Sequence, residues 1–212
     1  MDIIDKALSY VEDFFSREFS GHDYFHTLRV FKLATHIATE EKADLKVVQL
    51  AALLHDVDDR KLSPDTCADK TNARHFLLEN QVDADTVSRI LTIIGEVSFA
   101  GKESVAPSTL EGKCVQDADR LDAIGAIGIA RAFAYGGNHN RLMHHPDIAP
   151  NMDMGKEEYY KHESTTVNHF YEKLLLLKDM MNTPTAKVIA AQRHAYMQGY
   201  ITQFMQEWDG IK

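Results

Sequence analysis

Two adjacent side chains with metal-binding chemistry, His55 and Asp56, directly follow the apolar run Leu50–Leu54. Imidazole nitrogens and carboxylate oxygens bind divalent metals, and burying such groups without a partner is energetically costly. A second histidine, His26, lies four residues before Val30 and so points to the apolar face of its own predicted helix, although a hydrogen-bonded core histidine is the alternative. These residues can bind a divalent metal if other elements supply the remaining ligands.

Helices are the elements that must position these side chains. Apolar residues recur at helical spacing along most of the chain, and no stretch alternates with a period of two. The pattern predicts helices over approximately residues 3–15, 24–40, 45–54, 64–79, 83–94, 113–133, 156–181 and 185–208. Residues 95–110 and 136–155 are predicted to be loops, and the length of the second is typical of a lid or binding loop. We therefore expect one all-α domain spanning residues 1–212.

Composition narrows the classes of function. The 212 residues are enough for a sizeable core, and 44% hydrophobic with 26% charged residues is typical of a globular protein. A net charge of -9 argues against non-specific binding to nucleic acid or to anionic membranes, which both favour basic surfaces. A phosphate-bearing substrate remains compatible with this charge, because a metal and a few local cations can reverse the sign in one cleft.

The redox and targeting signals favour a cytoplasmic protein. Cys67 and Cys114 are the only cysteines and have no CxxC spacing, so we expect free thiols in a reducing compartment. The N-terminus lacks the basic start and long apolar run of a signal peptide. No apolar stretch approaches the roughly 20 residues that a membrane span requires. The sequence thus predicts neither a nucleic-acid partner nor a membrane partner.

The order of His26, the pair His55–Asp56 and a later Ala-Asp-Arg-Leu segment at residues 118–121 carries a family resemblance. The chain resembles the HD-domain metal-dependent phosphohydrolase superfamily, in which such residues lie on separate helices. The resemblance implies that Asp119, rather than Asp117 or Asp122, is the fourth ligand. Asp122 lies about one helical turn after Asp119 and is a candidate for a supporting layer around the metal. The resemblance also implies an HD-domain helical bundle, with a metal-binding core over about 21–133 and additional C-terminal helices over about 156–211.

A second segment, Thr165–Leu174, resembles the C-terminal half of a group of small bacterial HD proteins that includes metal-dependent nucleotide pyrophosphohydrolases. The resemblance implies a small-molecule phosphate substrate, with a nucleoside or deoxynucleoside triphosphate hydrolysed to monophosphate and pyrophosphate. A nucleotide phosphomonoesterase or phosphodiesterase is the alternative among enzymes. A non-catalytic nucleotide-sensing HD module is the alternative of another class, and a homodimer is one option for the assembly.

The proposed donor set favours one borderline divalent ion. Two imidazole nitrogens and two carboxylate oxygens suit Mn²⁺, Fe²⁺, Co²⁺, Ni²⁺ or Zn²⁺ rather than Ca²⁺, and Mn²⁺ is the preferred expectation. Four protein ligands leave a six-coordinate ion two positions, enough for a water molecule and a phosphate oxygen. Such an ion lowers the pKa of water and stabilises charge developing on phosphorus.

Further polar residues are candidates for catalysis or substrate binding. Asp58 or Asp59 can act as a general base or orient the attacking water, with Asp59 preferred, and Lys61 can hold a phosphate. The alternative for Asp58, Asp59 and Lys61 is that they form a solvated helix end. For several of the other candidates, the alternative is a surface loop or a structural ion pair. The remaining candidates for substrate binding are Lys102, Arg120, His144, His169 and Lys173.

Overall fold

The computed structural model describes residues 2–16, 23–60, 62–97, 105–152 and 164–212. Within these ranges the regular structure is helical and contains no β-strand, so the predicted all-α class is confirmed. The α-helices are α1 (Ile3–Phe14), α2 (Tyr24–Glu41), α3 (Leu45–Leu54), α4 (Thr71–Glu79), α5 (Ala84–Val97), α6 (Leu110–Asp122), α7 (Gly125–Asn138), α8 (Thr166–Glu172) and α9 (Pro184–Trp208). A 3₁₀ helix, Leu174–Met180, follows α8.

The contacts within the chain define two compact units. The first comprises Met1–Phe99 and Val105–Asp119, and the second is built on Arg120–Lys212. Helix α6 therefore begins in the first unit and ends in the second. A single domain over the whole chain stays a prediction.

In the first unit the apolar helix α3 is the central element. Only Leu45, Lys46 and Gln49 of its ten residues are not buried. Helices α1, α2 and α5 pack on α3, and α4 packs on α5. Because α3 is enclosed by its neighbours, its C-terminal end holds the residues that follow it in a defined place.

In the second unit the long helix α9 packs on α7 and on the 3₁₀ helix, and α8 packs on α7 and the 3₁₀ helix. Four aromatic rings from these helices form a cluster. Phe133, Phe170, Tyr200 and Phe204 lie with ring centroids about 6 Å apart. Phe170 is fully buried, whereas Phe133, Tyr200 and Phe204 are partly exposed, so this aromatic cluster extends from the core of the unit towards its surface.

Short polar side chains begin several helices. Asp23 accepts a hydrogen bond from the backbone N–H of His26 at 2.7 Å, and Asp44 accepts one from Val47 at 3.3 Å. Such caps satisfy amides that have no partner within the helix. The cap at Asp23 fixes the first turn of α2, and that turn carries His26.

Three of the predicted helices differ from the structure by more than a few residues at their ends. The predicted helix 113–133 is two helices, because the chain turns at Ala123–Ile124 and Gly125 adopts a left-handed conformation with φ of 79°. The helix expected to begin at Pro64 begins at Thr71, after a series of turns. Within the described part of the helix predicted over 156–181, α8 ends at Glu172 and a 3₁₀ helix follows.

Two expectations about the chain as a whole can be compared with the structure. No described helix is long and apolar enough to cross a membrane. Both cysteines are free thiols: Cys114 is buried and Cys67 is partly exposed. Neither finding specifies the compartment, so a cytoplasmic location stays a prediction.

Candidate metal centre

Three helices of the first unit bring the predicted metal ligands to one place. His26 lies in the first turn of α2, and His55 is the C-terminal cap residue of α3. Asp56 follows in the turn after α3, and Asp119 lies on α6. Residues separated by up to 93 positions along the chain therefore meet at the ends or faces of helices that the core holds in place.

The donor atoms of these side chains are close neighbours. Oδ2 of Asp56 lies 3.3 Å from Nε2 of His26 and 3.2 Å from Nε2 of His55. Oδ1 of Asp119 lies 3.5 Å and 4.0 Å from the same two nitrogens. The donors of His26, His55 and Asp56 all lie within 4.8 Å of one another. The planes of the two imidazole rings are inclined at 63°, with centroids 5.5 Å apart.

These distances fit one ion surrounded by the four side chains. With metal–ligand bonds of about 2.1 Å, neighbouring ligand atoms are about 3.0 Å apart in an octahedron and about 3.4 Å apart in a tetrahedron. The observed separations of 3.2–4.0 Å are close to that range. The chemistry of the donors also fits, since imidazole and carboxylate ligands together suit a borderline divalent ion.

A backbone contact orients His55. Its Nδ1 lies 2.8 Å from the carbonyl oxygen of Ala52, one turn earlier in α3. A hydrogen bond donated by Nδ1 leaves Nε2 as the atom that faces the carboxylates. Metal-ligating histidines are commonly oriented in this way by a carbonyl acceptor on the other ring nitrogen.

The electrostatics of His55 are dominated by burial and by its acidic neighbours. Burial lowers the pKa of His55, but the Asp56 and Asp119 carboxylates and the Ala52 carbonyl outweigh it and raise the pKa to about 9. Without a metal the imidazole is therefore protonated at neutral pH. A cation that binds at Nε2 must displace this proton, as is general for histidine ligands.

The group is buried but open on one side. The side chains of His26 and His55 are 1% and 3% exposed, whereas that of Asp119 is 28% exposed. Solvent therefore reaches the donors from the side of Asp119. A substrate oxygen or a water molecule needs such an approach to complete the coordination of an ion.

Asp58, one of the two carboxylates predicted to assist catalysis, is engaged elsewhere. Its residue is 2% exposed, and its two carboxylate oxygens accept hydrogen bonds from the backbone N–H groups of Asn72 and Ala73 at 3.1 Å and 2.9 Å. This favours a role at the N-terminus of α4 over a reaction with substrate. Asp59 is only partly buried, and its N–H donates to the carbonyl of Asp56 at 3.0 Å.

The predicted phosphate contacts Lys61 and Lys102 lie outside the described residues. Arg120 is 6% exposed, and its guanidinium donates to the carbonyl of Met180 within the second unit. Asp122, the candidate for a supporting layer, is 1% exposed and lies 2.6 Å from the guanidinium of Arg131. The contacts of Arg120 and Asp122 are those of structural residues, and the roles expected from the sequence stay predictions.

The remaining candidates lie in the second unit. The ring of His144 packs edge-on against Trp208, with centroids 5.1 Å apart. His169 and Lys173 lie one turn apart on α8 and at its C-terminal end. Burial, followed by the positive charges of Lys173 and Arg141, lowers the pKa of His169 to about 3. His169 is therefore neutral near physiological pH, with two cations close enough to repel a third charge.

The pKa of His169 predicts an acid-sensitive contribution to stability. Because the folded-state pKa of about 3 lies below the usual value of 6.5, the unfolded chain binds this proton first as the pH falls. The free energy of unfolding therefore falls progressively between about pH 6.5 and pH 3, and the part of this fall between pH 7 and pH 5 is about 2 kcal/mol. Denaturant unfolding at the two pH values measures the loss, and His169→Gln should remove it.

The control His139→Gln changes an exposed histidine of the same unit. Equal acid losses in wild type and His169→Gln would contradict the prediction.

Comparison with known proteins identifies the family. The family model of the HD domain matches residues 23–124, which contain all four predicted ligands. YpgQ of Bacillus subtilis is 40% identical over 209 residues, covering 98% of this chain and 94% of YpgQ. The chain belongs to the HD superfamily.

Solved structures extend the similarity over nearly the whole chain. A Lactobacillus plantarum protein matches with a TM-score of 0.85 at 40% identity, covering 98% of this chain and 97% of that protein. An HD-superfamily hydrolase from Bacillus thuringiensis matches with a TM-score of 0.78 at 42% identity, covering 97% and 96% of the two chains. YpgQ, crystallised in complex with ADP, matches with a TM-score of 0.77 at 37% identity, covering 99% of this chain and 100% of YpgQ.

These similarities confirm the family, the fold class and the enzyme class that the sequence predicted. The chain is a metal-dependent phosphohydrolase, and its buried histidines and aspartate form a group that fits a metal site. A non-catalytic sensing module is therefore not the class of this protein.

Proposed function

We propose that this HD hydrolase cleaves nucleoside or deoxynucleoside triphosphates to monophosphate and pyrophosphate, using one divalent ion held by His26, His55, Asp56 and Asp119. The observation that carries the proposal is the convergence of two imidazole and two carboxylate donors at separations of 3.2–4.0 Å in the first unit. The crystallisation of YpgQ with ADP supports a nucleotide substrate that contains a phosphoanhydride bond. Mn²⁺ is the proposed ion.

A bound divalent ion lowers the pKa of water and stabilises the charge that develops on phosphorus. Asp56 and Asp119 supply two negative charges, which balance the ion in a buried setting, and the neutral imidazoles add none. Hydrogen bonding of Nδ1 to Ala52 keeps Nε2 of His55 aimed at the group. Because the side of Asp119 is the more exposed, the phosphate approaches the donors from there.

The proposed reaction consumes one water molecule. Its oxygen forms a bond to the α-phosphorus, and the bond from that phosphorus to the bridging oxygen of the β-phosphate breaks, which releases pyrophosphate. We propose that Asp59 accepts or orients the proton of the attacking water, because both oxygens of Asp58 already accept hydrogen bonds from α4. Substrate contacts of Lys61, Lys102, His144, His169 and Lys173 stay predictions, as does a homodimer.

A product assay tests the reaction type. The Mn²⁺-loaded protein is incubated with ribo- and deoxyribonucleoside triphosphates, nucleoside monophosphates and a phosphodiester, and the released ions are separated by ion chromatography. We expect one pyrophosphate for each monophosphate formed from a triphosphate, with no orthophosphate. The same assay with Fe²⁺, Co²⁺, Ni²⁺ and Zn²⁺ ranks the metals.

The outcomes of this assay separate the alternatives. Orthophosphate released from monophosphates alone would replace the proposal with a phosphomonoesterase, and cleavage of the diester alone would replace it with a phosphodiesterase. Orthophosphate released stepwise from a triphosphate would place the attack at the terminal phosphorus. Each result would overturn the pyrophosphohydrolase assignment while leaving the metal site to be tested separately.

A further inference from the structure

Three hydrogen bonds connect the chain immediately after Asp56 to the first turn of α4. The backbone N–H groups of Asn72 and Ala73 donate to the two carboxylate oxygens of Asp58, at 3.1 Å and 2.9 Å. The side-chain amide of Asn72 donates to the carbonyl of Val57 at 2.9 Å. We call these three bonds the α4 clamp. They hold the two residues that follow a predicted metal ligand.

The clamp replaces the capping that α4 lacks locally. The N-cap residue Lys70 has a left-handed backbone and makes no side-chain cap hydrogen bond. The orphan amides at the second and third helical positions bind Asp58 instead, from 14 and 15 residues away. A negative charge at this position also suits the positive end of the helix dipole. The first turn of α4 and the segment after Asp56 therefore stabilise each other.

The position of Asn72 is fixed as well. Its amide group also donates to the hydroxyl of Thr66 at 3.1 Å, so one side chain connects Val57, the turn before α4 and α4 itself. Val57 and Ala73 are fully buried, and α4 is anchored in the core by Phe76 and Leu77. The clamp therefore joins the backbone beside Asp56 to a part of the first unit that packing holds rigid.

Metal ligands need this kind of support. Asp56 lies in the turn after α3, where the N–H of Val57 donates to the carbonyl of Leu54 at 3.4 Å and the N–H of Asp59 donates to the carbonyl of Asp56 at 3.0 Å. The α4 clamp adds contacts from outside this turn to the two residues that follow Asp56. Residues behind the ligands orient them, and their loss commonly weakens metal binding by about 10–100-fold. We propose that Asn72 and Asp58 are positioning residues that hold Asp56 in place for the metal. This inference rests on the proposed metal site and gives Asp58 a role other than reaction with substrate.

The test compares two asparagines of the same helix. Asn72→Ala removes the side-chain bonds to Val57 and Thr66, whereas Asn80→Ala removes a 2.8 Å bond to the carbonyl of Phe76 at the other end of α4. Both side chains are partly buried. The dissociation constant for Mn²⁺ is measured from the electron paramagnetic resonance signal of free Mn²⁺, and the melting temperature of each metal-free variant is recorded.

We expect Asn72→Ala to weaken Mn²⁺ binding about tenfold and Asn80→Ala to leave it unchanged, with similar losses in melting temperature. Unchanged Mn²⁺ binding in Asn72→Ala would overturn the inference, and so would equal weakening in both variants, because loosening of α4 alone would then explain it. If Asn72→Ala does not fold, Asp58→Asn provides the measurement. Its amide nitrogen cannot accept one of the two backbone bonds, and wild-type affinity in that variant would overturn the inference.

A further variant separates this inference from the proposed metal site. His55→Ala should abolish Mn²⁺ binding whether or not the clamp matters. If His55→Ala binds Mn²⁺ as the wild type does, the proposed site and the inference both fail. If His55→Ala loses binding and Asn72→Ala retains it in full, the metal site stands and the positioning role of the clamp is rejected.

Discussion

Replacement of Asp56 with alanine is expected to reduce hydrolysis by at least about 10³-fold, because metal stabilisation of the transition state is worth several kcal/mol and each 1.36 kcal/mol is tenfold in rate. Oδ2 of Asp56 lies within 3.3 Å of both histidine nitrogens, so its loss removes the donor nearest to both. Substrate turnover and bound Mn²⁺ per chain, measured on the same preparation, should fall together.

Asp65→Ala is the control for this prediction, because Asp65 is an exposed carboxylate in the segment that follows the pair. The control should keep wild-type turnover and wild-type metal content. Circular dichroism of both variants verifies that the helices are intact. Turnover close to wild type in Asp56→Ala would place the catalytic centre elsewhere in the molecule.

The second large effect is expected from Arg131→Ala, which should lower the free energy of unfolding by about 2–3 kcal/mol. The guanidinium of Arg131 lies 2.6 Å from the carboxylate of Asp122, whose side chain is 2% exposed. Removal of this cation leaves the buried carboxylate of Asp122 without the charge of Arg131, which offsets the energetic cost of burying it. Urea denaturation monitored by circular dichroism measures the change.

An exposed ion pair provides the contrast. Arg89 and Asp44 lie 3.4 Å apart and are 40% and 43% exposed, so Arg89→Ala should lower the free energy of unfolding by no more than about 0.5 kcal/mol.

The Arg131 variant also tests the role suggested for Asp122 by the sequence. A structural role predicts lower stability with unchanged Mn²⁺ affinity, whereas wild-type stability with weaker Mn²⁺ binding would favour a supporting role at the metal.

The metal centre shows which parts of the site sequence patterns indicate and which they do not. His26, His55 and Asp56 stand out because they are polar donors at the ends or faces of apolar helices, whereas the choice of Asp119 over Asp117 and Asp122 came from the family resemblance. Residue type and the apolar pattern are local properties, so they can be read without knowledge of the fold. The structure brings these donors together as expected.

The features that the sequence did not reveal depend on contacts between distant residues. The break between α6 and α7 was missed because helix-forming residues continue through it, although Gly125 was a local signal. The Cβ of any other residue at position 125 would lie only 3.0 Å from the side chain of Arg193. Likewise, Asp58 looked catalytic because nothing nearby in the sequence reveals that its oxygens cap α4.

The contacts of Asp122 and Arg120 also depend on residues that are distant along the chain. Both are charged residues that follow Asp119 on α6, yet their partners Arg131 and Met180 come from later segments. Spacing along one helix defines which residues share a face, but it does not define which residues of other elements contact that face. The role of a charged residue near a predicted ligand therefore depends on partners that its own helix does not contain.

The most direct test of the account is a titration of the metal-free protein with Mn²⁺, in which bound metal and triphosphate hydrolysis are measured on the same samples. Hydrolysis should rise in proportion to bound Mn²⁺ and level off at one ion per chain, and His55→Ala should show neither. Full hydrolysis by the metal-free protein in the presence of a chelator, or wild-type hydrolysis by His55→Ala, would contradict a metal centre built on the donors of α2, α3 and α6.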